Sequence, residues 1–293
     1  MTGGHADVVR PRELSRELSL FAALTPTLPP ATHTNSYALG ARDVLLVEPA
    51  TPYEEEQRAW MEWARSLSSQ GRRPVAIFAT HYHPDHVGGL DVLSRDLGLP
   101  VWSHAETAKR IGEASVSRRL ADGDELTLEG PTASVWRVLE TPGHAWGHLC
   151  LWNEASRTLI VGDMVASKGT ILIAPGDGDM RLYIEQLERL ARLDAALALP
   201  AHGEPIDAPT ALFRRYINHR ALREQKVLGA LLAHGAGGAS AEALVPTAYN
   251  DTPEALWPIA LLSLQAHLSK LVHEGRVLVR EGRYAGVLES PLP

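Results

Sequence analysis

Residues 81 to 86 read His81-Tyr82-His83-Pro84-Asp85-His86, three imidazoles and a carboxylate in six positions. Neutral imidazole nitrogens and carboxylate oxygens are preferred donors for borderline divalent cations such as zinc. His81 and His83 stand two apart at what reads as a strand end, so both rings can turn to one side and hold one ion. Asp85 and His86 lie on the tight turn that follows and can hold another. Further donors sit in separate loops after predicted strands: His144 in Thr141-Pro142-Gly143-His144, Asp163 in Gly162-Asp163-Met164, and His202 in Pro200-Ala201-His202-Gly203. Their glycines suit backbone that passes close to an ion. A single histidine is ordinarily a surface or core residue, but seven such donors gathered without cations would be hard to satisfy. Two cations close together would lower the pKa of a shared water toward neutrality and polarise a phosphoryl or carbonyl group, leaving a bridging hydroxide as nucleophile. No serine or cysteine nucleophile motif competes. Cys150, between Leu149 and Leu151, reads as a buried structural residue.

The elements that must position these donors follow from periodicity. Asn35–Leu39 and Val44–Val47 read as a hairpin across Gly40 and Asp43. From Glu54 to Gln70, Trp60, Trp63 and Leu67 recur at helical spacing before Gly71. Val75 to Ala79 is a short apolar strand that ends at Thr80 and delivers the histidine cluster at its C-terminal end, where ligand sites of layered α/β proteins gather. Strands are predicted at Val135–Leu139, Leu149–Trp152, Thr158–Val161 and Ala196–Leu199. A helix over Met180–Leu193 carries its leucines on one side and is expected to pack outside a sheet. From Pro209 the pattern turns helical, at Leu212–His234, Ala241–Val245 and Pro253–His273, with a break at Gly235–Gly238. A closing hairpin at Val277–Arg280 and Tyr284–Val287 gives a winged-helix-like module.

With 293 residues, 45% hydrophobic and 22% charged, the chain can bury a large core and add a small module. The reading divides it at 1–208 and 209–293. A net charge of −7 argues against a broad non-specific grip on nucleic acid, though not against a local basic patch. The module from Gln225, Glu289 included, is close to neutral, and its presumed recognition helix lacks basic residues, which speaks against reading of duplex DNA. One cysteine and no apolar leader in the Pro-rich first thirty residues make the cytoplasm the expected compartment, with no membrane partner.

In order and spacing the pattern His81-x-His83-x-Asp85-His86, then His144, Asp163 and His202, resembles the metallo-beta-lactamase-fold hydrolase superfamily. That resemblance implies an α/β fold of αββα sandwich type. It implies two zinc ions per chain, His81, His83 and His144 on the first, Asp85, His86 and His202 on the second, and Asp163 bridging, with Asp85 and Asp163 as the catalytic carboxylates. Other divalent metals stay open. Where the superfamily carries an Asp-Thr-Gly turn, this chain has Glu48-Pro49-Ala50, a support from behind and not a ligand.

A narrower resemblance spans nearly the whole chain. Asp122-Gly123-Asp124, His148 four residues after His144, Tyr216-Ile217-Asn218-His219-Arg220 followed by Arg223-Glu224-Gln225, and Tyr249-Asn250-Asp251-Thr252-Pro253 look like the beta-lactamase-like protein 2 group, whose animal member is a single-strand RNA endonuclease. The function it implies is a phosphodiesterase acting on single-stranded RNA. The alternative is a thioester, lactone or small-ester hydrolase of the glyoxalase II or thioesterase type, which an acidic chain without a basic track suits. His148 is read as orienting a ligand or a substrate oxygen. Lys168 at the cleft rim and His219 beside Arg215 and Arg220 are candidate substrate contacts, each weighed against a plain solvated side chain. Oligomeric state is left open.

Overall fold

A computed structural model of the chain describes residues 10–235 and 237–287. The start of the Pro-rich stretch, Ala236 in the expected break, and Glu289 lie outside them. Contacts divide the chain into two compact units that interleave in sequence.

The first unit, Met1–Thr141, Trp146–Gly169 and Asp194–Pro209, is built on two sheets. One contains β1 (Arg12–Ser15), β2 (Leu18–Leu24), β3 (His33–Leu39), β4 (Asp43–Val47), β5 (Arg73–Phe78), β6 (Val101–His104) and β7 (Arg118–Leu120) in that order. Its pairs are antiparallel up to β4 and parallel from β4 to β7. The other contains β8 (Glu125–Leu128), β9 (Ser134–Glu140), β10 (Leu149–Asn153), β11 (Thr158–Gly162), β12 (Leu197–Pro200) and β13 (Ile206–Asp207), with only β11 and β12 parallel. Strand alternation explains the layers. In β4, Leu45 and Val47 join Phe78, Trp136, Val138, Leu151 and Ile160 in a core between the two sheets, while Val44 and Leu46 face the opposite way. There they meet Trp60, Trp63 and Leu67 of α1 (Glu54–Ser69) and Leu90 and Leu93 of α3 (Leu90–Leu97), which follows the one-turn α2 (Pro84–Val87). Ala108 of α4 (Ala105–Ile111) closes this layer. Truncating the completely buried Trp60 to alanine would cost about 3–5 kcal/mol.

The expected hairpin forms, with Tyr37 opposite Val47 and Leu39 opposite Leu45. β1 and β2 occupy the stretch expected only to be Pro-rich; Leu18 to Ala23 is buried continuously, so it carries no period-2 signal.

The second unit comprises Pro142–Ala145, Thr170–Leu193 and the chain from Thr210. Two segments that precede residue 209 thus cluster with the C-terminal helices. The cause is α5 (Met180–Ala191), which packs along α6 (Thr210–Ala233) and touches α8 (Trp257–His273) within this unit. α6, α7 (Ala241–Ala248) and α8 share a core of Val227, Leu231, Leu244, Leu264, Leu268 and Leu271, and β14 (Val277–Arg280) pairs antiparallel with β15 (Arg283–Gly286). Glu254–His273 is long and apolar enough to cross a membrane by length and composition alone, but its leucines at 264, 268 and 271 are completely buried in that core.

Candidate metal centre

β5 ends at Phe78, and buried Ala79 and Thr80 carry the chain into completely buried His81. His83 caps α2 in extended conformation, with Pro84 in the first turn fixing the bend that sets Asp85 and His86 on one short helix. His81 Nε2 and His83 Nδ1 lie 2.9 Å apart, and Thr80 Oγ1 stands 2.9 Å from His81 Nδ1.

His86, His202, Asp85 and Asp163 converge. His86 Nε2 is 3.5 Å from Asp163 Oδ1 and 3.8 Å from Asp85 Oδ1; His202 Nε2 is 3.4 Å from Asp163 Oδ1 and 3.5 Å from Asp85 Oδ2. These separations exceed the roughly 2.7–2.9 Å of well-seated charge-assisted hydrogen bonds. Zinc bonds of about 2.0–2.2 Å in a tetrahedron place neighbouring donors about 3.3–3.6 Å apart, the spacing of every pair here but His86–Asp85, which is slightly wider. Among the described residues, buried His86 Nε2 has no hydrogen-bond partner. The residues present therefore suit a cation. Within this unit Asp85, His86 and His202 have the mutual proximity that metal coordination needs.

The other face of each ring is pinned. Glu48, 1% exposed, presents Oε1 to His86 Nδ1 at 3.1 Å and also accepts from Thr80 Oγ1. Its backbone sits at φ 59°, which aims the side chain behind the site as the sequence implied. His202 Nδ1 bonds the His33 carbonyl at 3.0 Å, and its loop is clamped by Asn35 Nδ2 to the carbonyls of Pro200 and Gly203 at 3.0 and 2.7 Å and by Tyr37 Oη to Pro200 at 2.7 Å. Metal-site histidines are oriented by such outer partners.

Burial opposes charge on His86, but the carboxylates of Asp163, Asp85 and Glu48 outweigh it and hold its protonation well above the usual imidazole range. Burial likewise opposes charge on His202, and Asp163 overrides it upward. Asp163 is also opposed by burial, yet His202 and His86 hold its carboxyl well below the usual range. The pocket favours positive charge at its centre.

His148, read as orienting a ligand or a substrate oxygen, lies behind Asp163. It is completely buried, Nδ1 meets Thr141 Oγ1 at 2.8 Å, and Nε2 accepts from the Asp163 amide at 3.1 Å. Gly162 permits this: at φ 48°, a Cβ would come within 2.5 Å of His148 Nε2. Cys150 is buried against Thr141, as expected. Lys168 is exposed on its loop. His219 is exposed on α6, and partial desolvation with Arg220 and Arg223 lowers its pKa. His144 belongs to the second unit, where its Nδ1 meets the Leu172 carbonyl at 2.8 Å.

Sequence reasoning missed His33, Asn35, Tyr37 and Thr141. The run His33-Thr34-Asn35-Ser36 was the available signal, because polar residues at consecutive strand positions, three of them buried, need partners.

A family model described as Metallo-beta-lactamase superfamily matches residues 29–202, and one described as Beta-lactamase associated winged helix domain matches 240–284. The chain is 30% identical over 259 residues to a Drosophila melanogaster protein named beta-lactamase-like protein 2 homolog, covering 84% of each. A metallo-beta-lactamase family protein of Thermus thermophilus aligns over 94% of this chain and 100% of its own, at 26% identity and TM-score 0.74. A beta-lactamase domain protein from Burkholderia ambifaria, 22% identical over 96% of both chains, has a TM-score of 0.79, a likeness of fold.

Proposed function

The chain belongs to the metallo-beta-lactamase superfamily, with a C-terminal winged-helix domain, and on that premise we propose that it is a dinuclear zinc hydrolase that cleaves phosphodiester bonds in single-stranded RNA. The observation that carries the reading is the convergence of His86, His202, Asp85 and Asp163 at donor spacing, with both Nδ1 atoms already engaged. By the order of the motif, His81, His83 and His144 are assigned to the other ion. When bound, such cations supply Lewis acidity toward a phosphoryl or carbonyl oxygen and lower the pKa of water.

The chain's own residues do the rest. Glu48 and the His33 carbonyl keep the Nδ1 protons of His86 and His202, so each Nε2 offers a lone pair. His148 holds the backbone of Asp163 in place. Asp85, less buried than its neighbours, accepts at its carboxylate the proton released by attacking water. Tyr82, between the two histidines of the motif, has the exposed Arg110 guanidinium 4.7 Å from its ring centroid. An aromatic face with a cation beside a hydrolytic site suits a stacked base and its phosphate, which supports RNA as substrate. Lys168 and His219 remain proposed contacts for the anionic strand. The buried single cysteine accords with a reducing cytoplasm.

The charge of −7 favours the second reading, a thioester or lactone hydrolase on the same centre. Zinc-loaded protein should be offered a fluorescent single-stranded RNA beside acyl thioesters and lactones, with Asp163→Ala as the contamination control. RNA cleavage that disappears in the variant supports the nuclease reading; thioester or lactone turnover without RNA cleavage replaces it with the second.

A further inference from the structure

We propose that Arg220 is a positioning residue that fixes the tautomer and orientation of the His144 ring within the C-terminal unit. The inference rests on the metal-centre reading above.

Arg220 is only 2% exposed, and a buried arginine ordinarily faces a carboxylate. Among the described residues its bonds go elsewhere. Nη2 donates to Thr170 Oγ1 at 3.0 Å and to the Ile171 carbonyl, and Nε is buried without a partner. The next carbonyl, that of Leu172, receives His144 Nδ1 at 2.8 Å. A carbonyl can only accept, so Nδ1 carries the proton and Nε2 keeps the lone pair a cation needs.

The same guanidinium also braces the other side of the His144 loop. Its carbon lies 5.4 Å from the ring centroid of Tyr183, and Gly143 rests on the Tyr183 backbone so closely that a Cβ would come within 2.3 Å of Tyr183 Cα. The Asp179 amide donates to the Gly143 carbonyl at 2.9 Å. One cation thus grips both the 170–172 segment and the wall against which residues 142–145 are seated. A hydrophobic side chain of equal length would fill the volume but could not tie the two backbone segments together. Retention of a costly buried charge without a counterion is accounted for by this orienting role.

The test compares wild type, Arg220→Met and Arg220→Lys by two readouts: ring nitrogen correlations of His144 in the apo protein by NMR, assigned with His144→Gln, and zinc affinity by chelator competition. Wild type should show one tautomer, protonated at Nδ1. In Arg220→Met that population should become mixed, and one of the two zinc ions should bind about 10–100-fold more weakly, with the other unchanged. Arg220→Lys, which keeps charge but not the fork, should fall between, and it carries the test if the methionine variant does not fold. Either folded variant with the wild-type tautomer and two equally tight ions overturns the inference. Absence of zinc binding in wild type would defeat the metal reading instead, while the apo tautomer would still decide the role of Arg220.

Discussion

Replacing His267 by leucine should flatten the acid limb of the protein's stability. His267 lies on α8 among Leu264, Leu268 and Leu271; it is completely buried, and among the described residues neither ring nitrogen has a hydrogen-bond partner. Burial first, then the positive potential of Arg220, Lys270, Arg223 and His219, pushes its pKa from 6.5 down to about 3. Below pH 6.5 the unfolded chain takes up a proton that the folded chain refuses until about pH 3, so unfolding binds a proton and stability falls as pH drops through that window. The slope approaches about 1.4 kcal/mol per pH unit, and integration from pH 8 to pH 5 gives a loss of about 2 kcal/mol. Leucine cannot titrate, and it removes two unpartnered buried nitrogens, so the variant should be at least as stable as wild type at pH 8. Urea unfolding of both proteins at pH 8, 7, 6 and 5, followed by circular dichroism, isolates His267, because other titrating groups cancel in the difference. A difference that stays constant across that range within about 0.5 kcal/mol would refute the reasoning.

Glu48→Ala leaves His86 Nδ1 buried without its acceptor and should weaken zinc binding about 10–100-fold in calorimetry. Asn35→Ala removes the amide bonds to the carbonyls of Pro200 and Gly203, leaving Pro200 only its bond from Tyr37, and should weaken the ion held by His202 while leaving the other, a split visible in chelator titration. Gly162→Ala forces a Cβ toward His148 Nε2 at a positive φ and should cost about 1–3 kcal/mol in thermal unfolding, with no gain in activity.

The donors were legible because chemistry writes them in residue types: His81 through His86 cannot be explained as core or surface packing, and α1 announces itself through Trp60, Trp63 and Leu67. The supports were less legible. His202 is oriented by the carbonyl of His33, and a backbone carbonyl has no residue code. Glu48 was marked by its place in the motif, but its bond to His86 needed the φ of 59° that only coordinates reveal. β2 was missed because burial on both faces erases alternation. The interleaved second unit was invisible to a single cut, since composition cannot show that α5 packs along α6. The spacing of His148 after His144 suits a ligand-orienting group and a substrate contact equally, and only the Asp163 amide at its Nε2 gives it its place.

Zinc content per chain after loading and desalting, measured by plasma mass spectrometry in wild type and Asp163→Ala, decides whether two cations share Asp163. Two ions are expected in wild type and fewer than one in the variant. Two retained in Asp163→Ala, or none in wild type, would contradict that sharing.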